Sequence, residues 1–303
     1  METVLEGLPR ESRVALVRLR SLGDCVLTTP ALQVLKRARP DLCVAVVVEE
    51  RFRAVFEGNP DVEQILGPQL GALRRFRPRL CLNLHGGTRS AWMTALSGAR
   101  YRAGFAHFRH GAAYNIRIPR AQEILGVARK VHTAEHLASA MFYLGVPVGE
   151  IPRARLTADG GAGKGGGWAV LHPAAATAEK TWPAAGFLEV ARHLGRCGME
   201  PVFLGGAEDD LSAFAEFRRL HGAPLGEVKN LLAGAALFVG NDSGPAHMAA
   251  AFGLPVVVIF GPSDAEVWAP WRTPSEVIAA PGGIAQVRPA QVLEALARLR
   301  VAA

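Results

Sequence analysis

Four short stretches of this chain place reactive side chains directly after apolar runs. In the first, RLRSLGDCVLTTPAL, a single carboxylate, Asp24, follows Ser21 and Gly23. It is positioned either to take a proton or to cap the turn that follows. The second, LHPAAATAEKTWP, offers the hydroxyl of Thr177 and the cation of Lys180 beside small residues that admit a close backbone approach. A lysine ammonium suits phosphate as a point charge, although Lys180 also reads as an ordinary solvated lysine. In the third, LGGAEDDLSAF, Asp209 and Asp210 sit where acidic residues offset a helix dipole, and Glu208 suits a ribose hydroxyl. The fourth, LFVGNDSGPAHMAAAFGLPVVVIFG, breaks between strand and helix at Asn241, Asp242, Ser243 and Gly244. The helix predicted from Pro245 has free N–H groups at its start, which form an anion site that Gly244 opens and Ser243 supplements. His247, one turn on, either faces that site or is a buried, satisfied histidine. Together these loops describe a cradle for a diphosphate. They do so without a G-x-x-x-x-G-K-[ST] loop and without a D-x-D metal signature, and a nucleotide-diphosphate leaving group fits it.

The elements that carry these loops follow from apolar periodicity. Buried strands are predicted at Val14–Leu19, Cys43–Val48, Leu80–Leu84, Trp168–Leu171, Pro201–Leu204, Leu237–Val239 and Val256–Phe260. Helices are predicted at Pro30–Ala38 with Thr29 as N-cap, and at His132–Leu144, Pro183–Arg196, Asp210–Leu220, Pro245–Phe252 and Pro289–Arg300. Strands alternating with helices specify parallel sheets covered on both faces. The stretch DGGAGKGGG is too glycine-rich to form an element and reads as a linker over residues 160–167. It divides the chain into an N-terminal α/β domain, 1–159, and a C-terminal one, 168–303. Ligands of such sheets bind beyond the carboxyl ends of the strands, so the expected site is a cleft between the two domains. No G-x-G-x-x-G follows the first strand, which argues against a dinucleotide oxidoreductase.

Composition bounds the class. Half of the 303 residues are hydrophobic and 20% are charged, as in a well-cored globular protein. The first twenty residues are broken by charges and Pro9, so no signal peptide is expected, and the apolar runs are too short to span a bilayer. Four cysteines without paired spacing read as reduced thiols of a cytoplasmic protein. The net charge of +7 is concentrated in residues 1–160, which hold 23 Lys and Arg against 14 Asp and Glu. Between Gln64 and Gln122 there are ten arginines and no acidic residue. Such a stretch points to an anionic partner or to a composition that favours arginine.

RSLGDCVLTTPAL, LHPAAATAEKTWP, FLGGAEDD and the GNDSGPAH block together resemble glycosyltransferase family 9, the ADP-heptose:lipopolysaccharide heptosyltransferases. NLHGGTRSAW and HTAEHLASAMFYLGVP resemble the family's intervening segments, so the likeness runs through nearly the whole chain. The resemblance implies an α/β fold of GT-B type, with two Rossmann-like domains whose parallel sheets face each other across a cleft. It implies an inverting, metal-independent transfer from an ADP-sugar to an anionic lipopolysaccharide core acceptor, without a cofactor and without nucleic acid. By position, Asp24 is then the general base. Thr177, Lys180, Glu208, Asp242, Ser243, Gly244 and His247 are the donor contacts. Ser21, Gly23, Arg89, Arg100 and Arg102 are the candidate acceptor contacts. The anionic glycolipid would place the enzyme in the cytoplasm, peripheral at the inner-membrane surface. One departure stands out, since Ala174-Ala175-Ala176 replaces the hydroxyl residues that family members often carry after the His-Pro start. A non-catalytic nucleotide-sugar-binding or membrane-docking protein of the same fold is the alternative.

Overall fold

The computed structural model describes residues 3–159 and 166–299. Most of the linker predicted over 160–167, namely 160–165, lies outside the described residues. The chain divides into two compact units, Met1–Arg155 and Leu156–Ala303.

The first unit runs β1 (Arg13–Val17), α1 (Leu22–Ala38), β2 (Cys43–Val47), β3 (Gln64–Leu66), α2 (Leu70–Phe76) and β4 (Leu80–Asn83). It continues through α3 (Thr88–Ala95), β5 (Tyr101–Phe105), β6 (Ile116–Ile118), α4 (Ala121–Leu125) and α5 (Thr133–Leu144). Its six strands are all parallel, in the order β3-β2-β1-β4-β5-β6. Helices cover both faces, so the central strands are apolar at nearly every position, and Val14 to Val17 are fully buried.

The second unit runs β7 (Trp168–His172), α6 (Ala184–Arg196), β8 (Glu200–Gly205), β9 (Arg218–His221), α7 (Leu225–Gly234) and β10 (Leu237–Asn241). It closes with α8 (Gly244–Phe252), β11 (Val256–Phe260), α9 (Ala265–Trp268), β12 (Ser275–Ala279) and α10 (Pro289–Arg298). These six strands are also parallel, ordered β12-β11-β10-β7-β8-β9. Counted within its own unit, each sheet therefore has the order 3-2-1-4-5-6. The strand order reverses between its first and fourth strands, which are β1 and β4 in one unit and β7 and β10 in the other. The core of the second unit is built on Trp182, Phe187, Phe203 and Phe214, with the last two rings stacked 4.0 Å apart. Three of the four sheet edges are short, with three residues in each of β3 and β6 and four in β9, while the fourth, β12, has five.

Two elements differ from the sequence expectation. The helix read as starting at Pro30 begins at Leu22, with Pro30 inside it and Thr29 in mid-helix instead of at the cap. The helix survives because Thr29 Oγ1 donates to the Val26 carbonyl, at 2.8 Å, in place of the N–H that Pro30 lacks. The helix predicted over Asp210–Leu220 is instead a short 3-10 turn, Ser212–Phe214, followed by β9. β9 is a mostly exposed Arg-Arg-Leu-His strand that pairs with β8 along one side, and its polarity hid the strand from a reading based on apolar runs.

Candidate active site

In the second unit the loops after β7 and β10 meet at the switch point. β10 ends in Asn241, which is fully buried. Its Nδ2 donates to the Pro173 carbonyl at 2.7 Å, and its Oδ1 accepts from the Trp182 N–H at 3.1 Å. One amide thereby ties both ends of the Pro173–Trp182 loop to the strand that carries Asp242. Within that loop Ala178–Lys180 forms a 3-10 turn, and Lys180 Nζ lies 3.2 Å from Asp242 Oδ2. Gly261, at the end of β11, has no side chain because a Cβ there would strike the Glu179 carbonyl. Lysine and aspartate are thus brought together by backbone packing on both sides.

Ser243 is the N-cap of α8, but its side chain makes no capping bond to the helix. Its hydroxyl pairs instead with His172 Nδ1 at 3.1 Å. The N–H groups at the start of α8 therefore have no side-chain cap, and they carry the positive end of the helix dipole. His172 is buried, and burial drives its pKa down to about 4, so its imidazole is neutral at physiological pH.

The remaining expected donor residues are distributed as follows. Thr177 is exposed at the start of the 3-10 turn, where its carbonyl accepts from Lys180 N and Thr181 Oγ1. Gly244 is the first residue of α8. His247 is 4% exposed, with its ring 6.2 Å from that of Trp268, so it is packed against α9. Glu208 is exposed on the loop after β8. That loop is closed by Asp209, which accepts from Gly206 N, and by Asp210, which accepts from Ser212 N. These two carboxylates cap a turn, not a helix.

In the first unit, Asp24 lies in the first turn of α1 and not in a loop ahead of the helix. Its Oδ2 accepts from the Ser21 hydroxyl at 3.0 Å and the Ser21 N–H at 3.4 Å, which is the capping arrangement. Its Oδ1 lies 3.3 Å from Arg18 Nη1. Arg18 is 5% exposed, and burial pulls its pKa down while Asp24 opposes that shift. Its Nε is buried without a hydrogen-bond partner. The carboxylate nevertheless keeps 24% of its side-chain surface open. Asp24 is therefore both a cap and an oriented, partly open carboxylate.

Histidines that sequence reasoning missed surround this loop. His85 Nδ1 lies 3.1 Å from the Arg20 carbonyl and joins the loop after β4 to the loop after β1. Burial, then Arg18, lowers its pKa. His136 on α5 stacks on Phe105 at 4.0 Å and lies 5.4 Å from His107. Burial, then His107 and Arg18, brings the His136 pKa down to about 4. Asn83 ends β4 as Asn241 ends β10. It is also fully buried, donating to Ser90 Oγ and Tyr114 Oη and accepting from the N–H groups of His85 and Gly86. The one sequence signal for this parallel is an asparagine closing the fourth strand of each unit.

The expected acceptor residues divide between the two ends of the sheet. Ser21 is exposed, Gly23 is buried in the first turn of α1, and Arg89 on α3 donates to the Pro68 carbonyl at 2.8 Å. Arg100 and Arg102 stand at the amino end of β5, whereas Asp24 follows the carboxyl end of the parallel strand β1. Arg102 is occupied by the carbonyls of Ala99 and Ala113. These two arginines are not brought to Asp24. Among the described residues no group of three or more His, Cys, Asp or Glu is placed to hold a metal ion.

A family model, glycosyltransferase family 9 (heptosyltransferase), matches residues 72–287, and the chain belongs to that family of glycosyltransferases. Among individual proteins it is similar to lipopolysaccharide heptosyltransferase 3 of Escherichia coli, 27% identical over 292 residues and covering 84% of each chain. Among solved structures it matches a glycosyltransferase family 9 protein from Veillonella parvula at a TM-score of 0.82 and 22% identity, covering 99% of this chain and 98% of that one. It also matches E. coli heptosyltransferase WaaC with ADP at a TM-score of 0.79 and 22% identity, covering 95% and 99%. The fold is thus of GT-B type, with two Rossmann-like units built on parallel sheets.

Proposed function

We propose that this enzyme transfers heptose, or a related sugar, from an ADP-sugar to a hydroxyl of an anionic lipopolysaccharide core acceptor, with inversion. The observation that carries this reading is the Lys180–Asp242 pair beside an α8 N-terminus without a side-chain cap, at the switch point of the second unit. Two kinds of similarity support the choice of substrates. The curated relative is a lipopolysaccharide heptosyltransferase, and WaaC has been seen with ADP.

The chemistry follows from the side chains. As the bond between the anomeric carbon and the diphosphate oxygen breaks, negative charge grows on the departing ADP. The Lys180 ammonium and the α8 N–H groups are fixed donors for that charge. Asp242 neutralises part of the lysine in the free enzyme and holds it in place. Ser243, ordered by His172, adds a hydroxyl donor, and Thr177 lies in the same loop as Lys180. Asp24 takes the proton of the acceptor hydroxyl as its oxygen bonds to the anomeric carbon from the opposite face. Direct displacement of this kind needs one base and no covalent intermediate. Positive charge from lysine and helix serves the leaving group, so the reading invokes no metal ion and no cofactor. Neutral His85 and His136 suit the hydroxyls of a sugar acceptor, and Ser21, Gly23 and Arg89 lie at the same end of the first sheet.

No described helix is long and apolar enough to cross a membrane. A cytoplasmic enzyme that visits the inner-membrane surface to meet its glycolipid fits this reading. The test is calorimetry on Lys180→Ala. ADP should bind at least about tenfold more weakly, as expected for losing a charged hydrogen bond. A dissociation constant equal to wild type would remove Lys180 from the donor site. Ranking ADP-, UDP- and GDP-sugars by the melting temperature each confers would establish the nucleotide. Stabilisation by ADP-sugars with no transfer to any acceptor would favour a binding protein over an enzyme.

A further inference from the structure

The arginine-rich part of the first unit builds a cationic, anion-binding surface at the end of the sheet away from Asp24. Five arginines converge there from three segments. Arg10 precedes β1, Arg13 opens it, Arg77 and Arg79 lead into β4, and Arg100 leads into β5. They line one open hollow of about 570 Å³, in which Glu11 is the single carboxylate. Among the described residues none of the five has an ion-pair partner, although arginines elsewhere in the first unit, such as Arg39, Arg53 and Arg129, are paired with carboxylates. Arg13 donates one bond to the Phe76 carbonyl, and Arg79 Nε is buried with no partner at all. Arg10, Arg13, Arg77 and Arg100 are exposed.

Two backbone features shape the hollow. Glu11 and Arg77 both adopt left-handed conformations, with φ of 60° and 52°. Residues other than glycine are uncommon there, and such positions persist only where surrounding structure enforces them. Five like charges held close with one counter-charge repel one another, and the repulsion is relieved by an anion that several guanidinium groups share. Guanidinium forks match the oxygens of phosphate, whereas a single carboxylate would satisfy fewer of them.

We propose that this hollow is a second binding site, distinct from the donor cradle, for a ligand bearing clustered phosphate groups. Its ligand is either the headgroup layer of anionic phospholipid or a soluble polyphosphorylated molecule. The site lies at the amino ends of β1, β4 and β5, so a ligand there leaves the loops around Asp24 open. It gives a use to Arg100 that the acceptor reading does not.

The probe for the soluble source is inorganic tripolyphosphate. The probe for the lipid source is vesicles of phosphatidylcholine with and without phosphatidylglycerol. ADP is kept in excess throughout so that the second unit's phosphate site is occupied, and the readout is the difference between wild type and Arg77→Gln/Arg100→Gln. Tripolyphosphate should raise the melting temperature of wild type, and its apparent dissociation constant should rise about tenfold or more in the double variant. If lipid is the source, co-sedimentation with the anionic vesicles should fall in the variant, and neutral vesicles should bind neither protein. Loss of either response in the variant supports the site and identifies its source. Without ligand the variant should melt no lower than wild type, because repulsion is removed. Should it fail to fold, Arg10→Gln provides the same comparison. Equal binding of both probes by wild type and variant, or no binding by wild type, would overturn the proposal.

Discussion

At the scale of single residues, the capping geometry of Asp24 and the base role proposed for it are separable by mutation. Its carboxylate accepts from Ser21 at the start of α1 and also presents open surface beside Arg18. An asparagine keeps an oxygen for the Ser21 N–H but loses basicity. Asp24→Asn should therefore lower kcat by about 100- to 10,000-fold, the usual contribution of a general base. ADP affinity should be unchanged and the melting temperature nearly so. Full turnover in this variant would leave Asp24 as a cap alone. The types of these residues were legible in the sequence because reactive side chains stood after apolar runs. The partners were not. Arg18 reaches Asp24 because the end of β1 and the first turn of α1 fold back on each other. His85 and His136 come from the loop after β4 and from α5, and no local pattern announces which distant loop a histidine will meet.

At the scale of elements, α1 shows how a proline can mislead. Pro30 reads naturally as a helix start because its missing N–H costs nothing there. In the structure it sits in the ninth position of a 17-residue helix. The orphaned Val26 carbonyl is served by Thr29 Oγ1, which in turn accepts from the Arg155 N–H at 2.8 Å. Thr29 is fully buried, so neither group has water to fall back on. Thr29→Val preserves shape and leaves both groups without that partner. Urea unfolding should show a loss of about 2–4 kcal/mol, given ~1–3 kcal/mol per stranded polar group. Thr28→Val makes a useful contrast, since Thr28 Oγ1 bonds the Asp24 carbonyl, which the helix already pairs. Its cost should be under about 1 kcal/mol. Equal losses would mean that Thr29 does not stand in for the proline. The central strands, by contrast, were readable from sequence, since burial on both faces demands near-continuous apolar runs. β9 was not, because its side chains face solvent and only its backbone pairing makes it a strand.

At the scale of the whole molecule, one buried and one half-buried histidine should make stability depend on pH. His136 and His172, one in each unit, both have pKa values near 4 against an ordinary value of 6.5, with burial the leading cause. Between those values the unfolded chain binds protons that the folded chain refuses. Stability is thus fully present above pH 6.5 and declines as the pH falls towards 4, by at most ~1.4 kcal/mol per pH unit for each histidine. Urea midpoints measured from pH 7.5 to 4.5 should trace that decline, and His172→Asn should reduce its slope by about half, leaving the His136 contribution. A midpoint independent of pH in this window would show that neither ring is held neutral. The parallel sheets followed from alternation alone, whereas the common 3-2-1-4-5-6 order depends on which strands pair across long separations.

The terse outer strands have a bearing on how this chain survives crowding during synthesis. Open parallel sheets expose unsatisfied main-chain groups along their margins, and these can recruit a stray extended segment. Here β3 and β6 offer three residues apiece, and β9 presents Arg218, Arg219 and His221. β3 and β6 give an incoming segment little length to ladder onto, and β9 meets it with a fringe of positive charge that repels another copy of itself, which leaves five-residue β12 as the longest open margin.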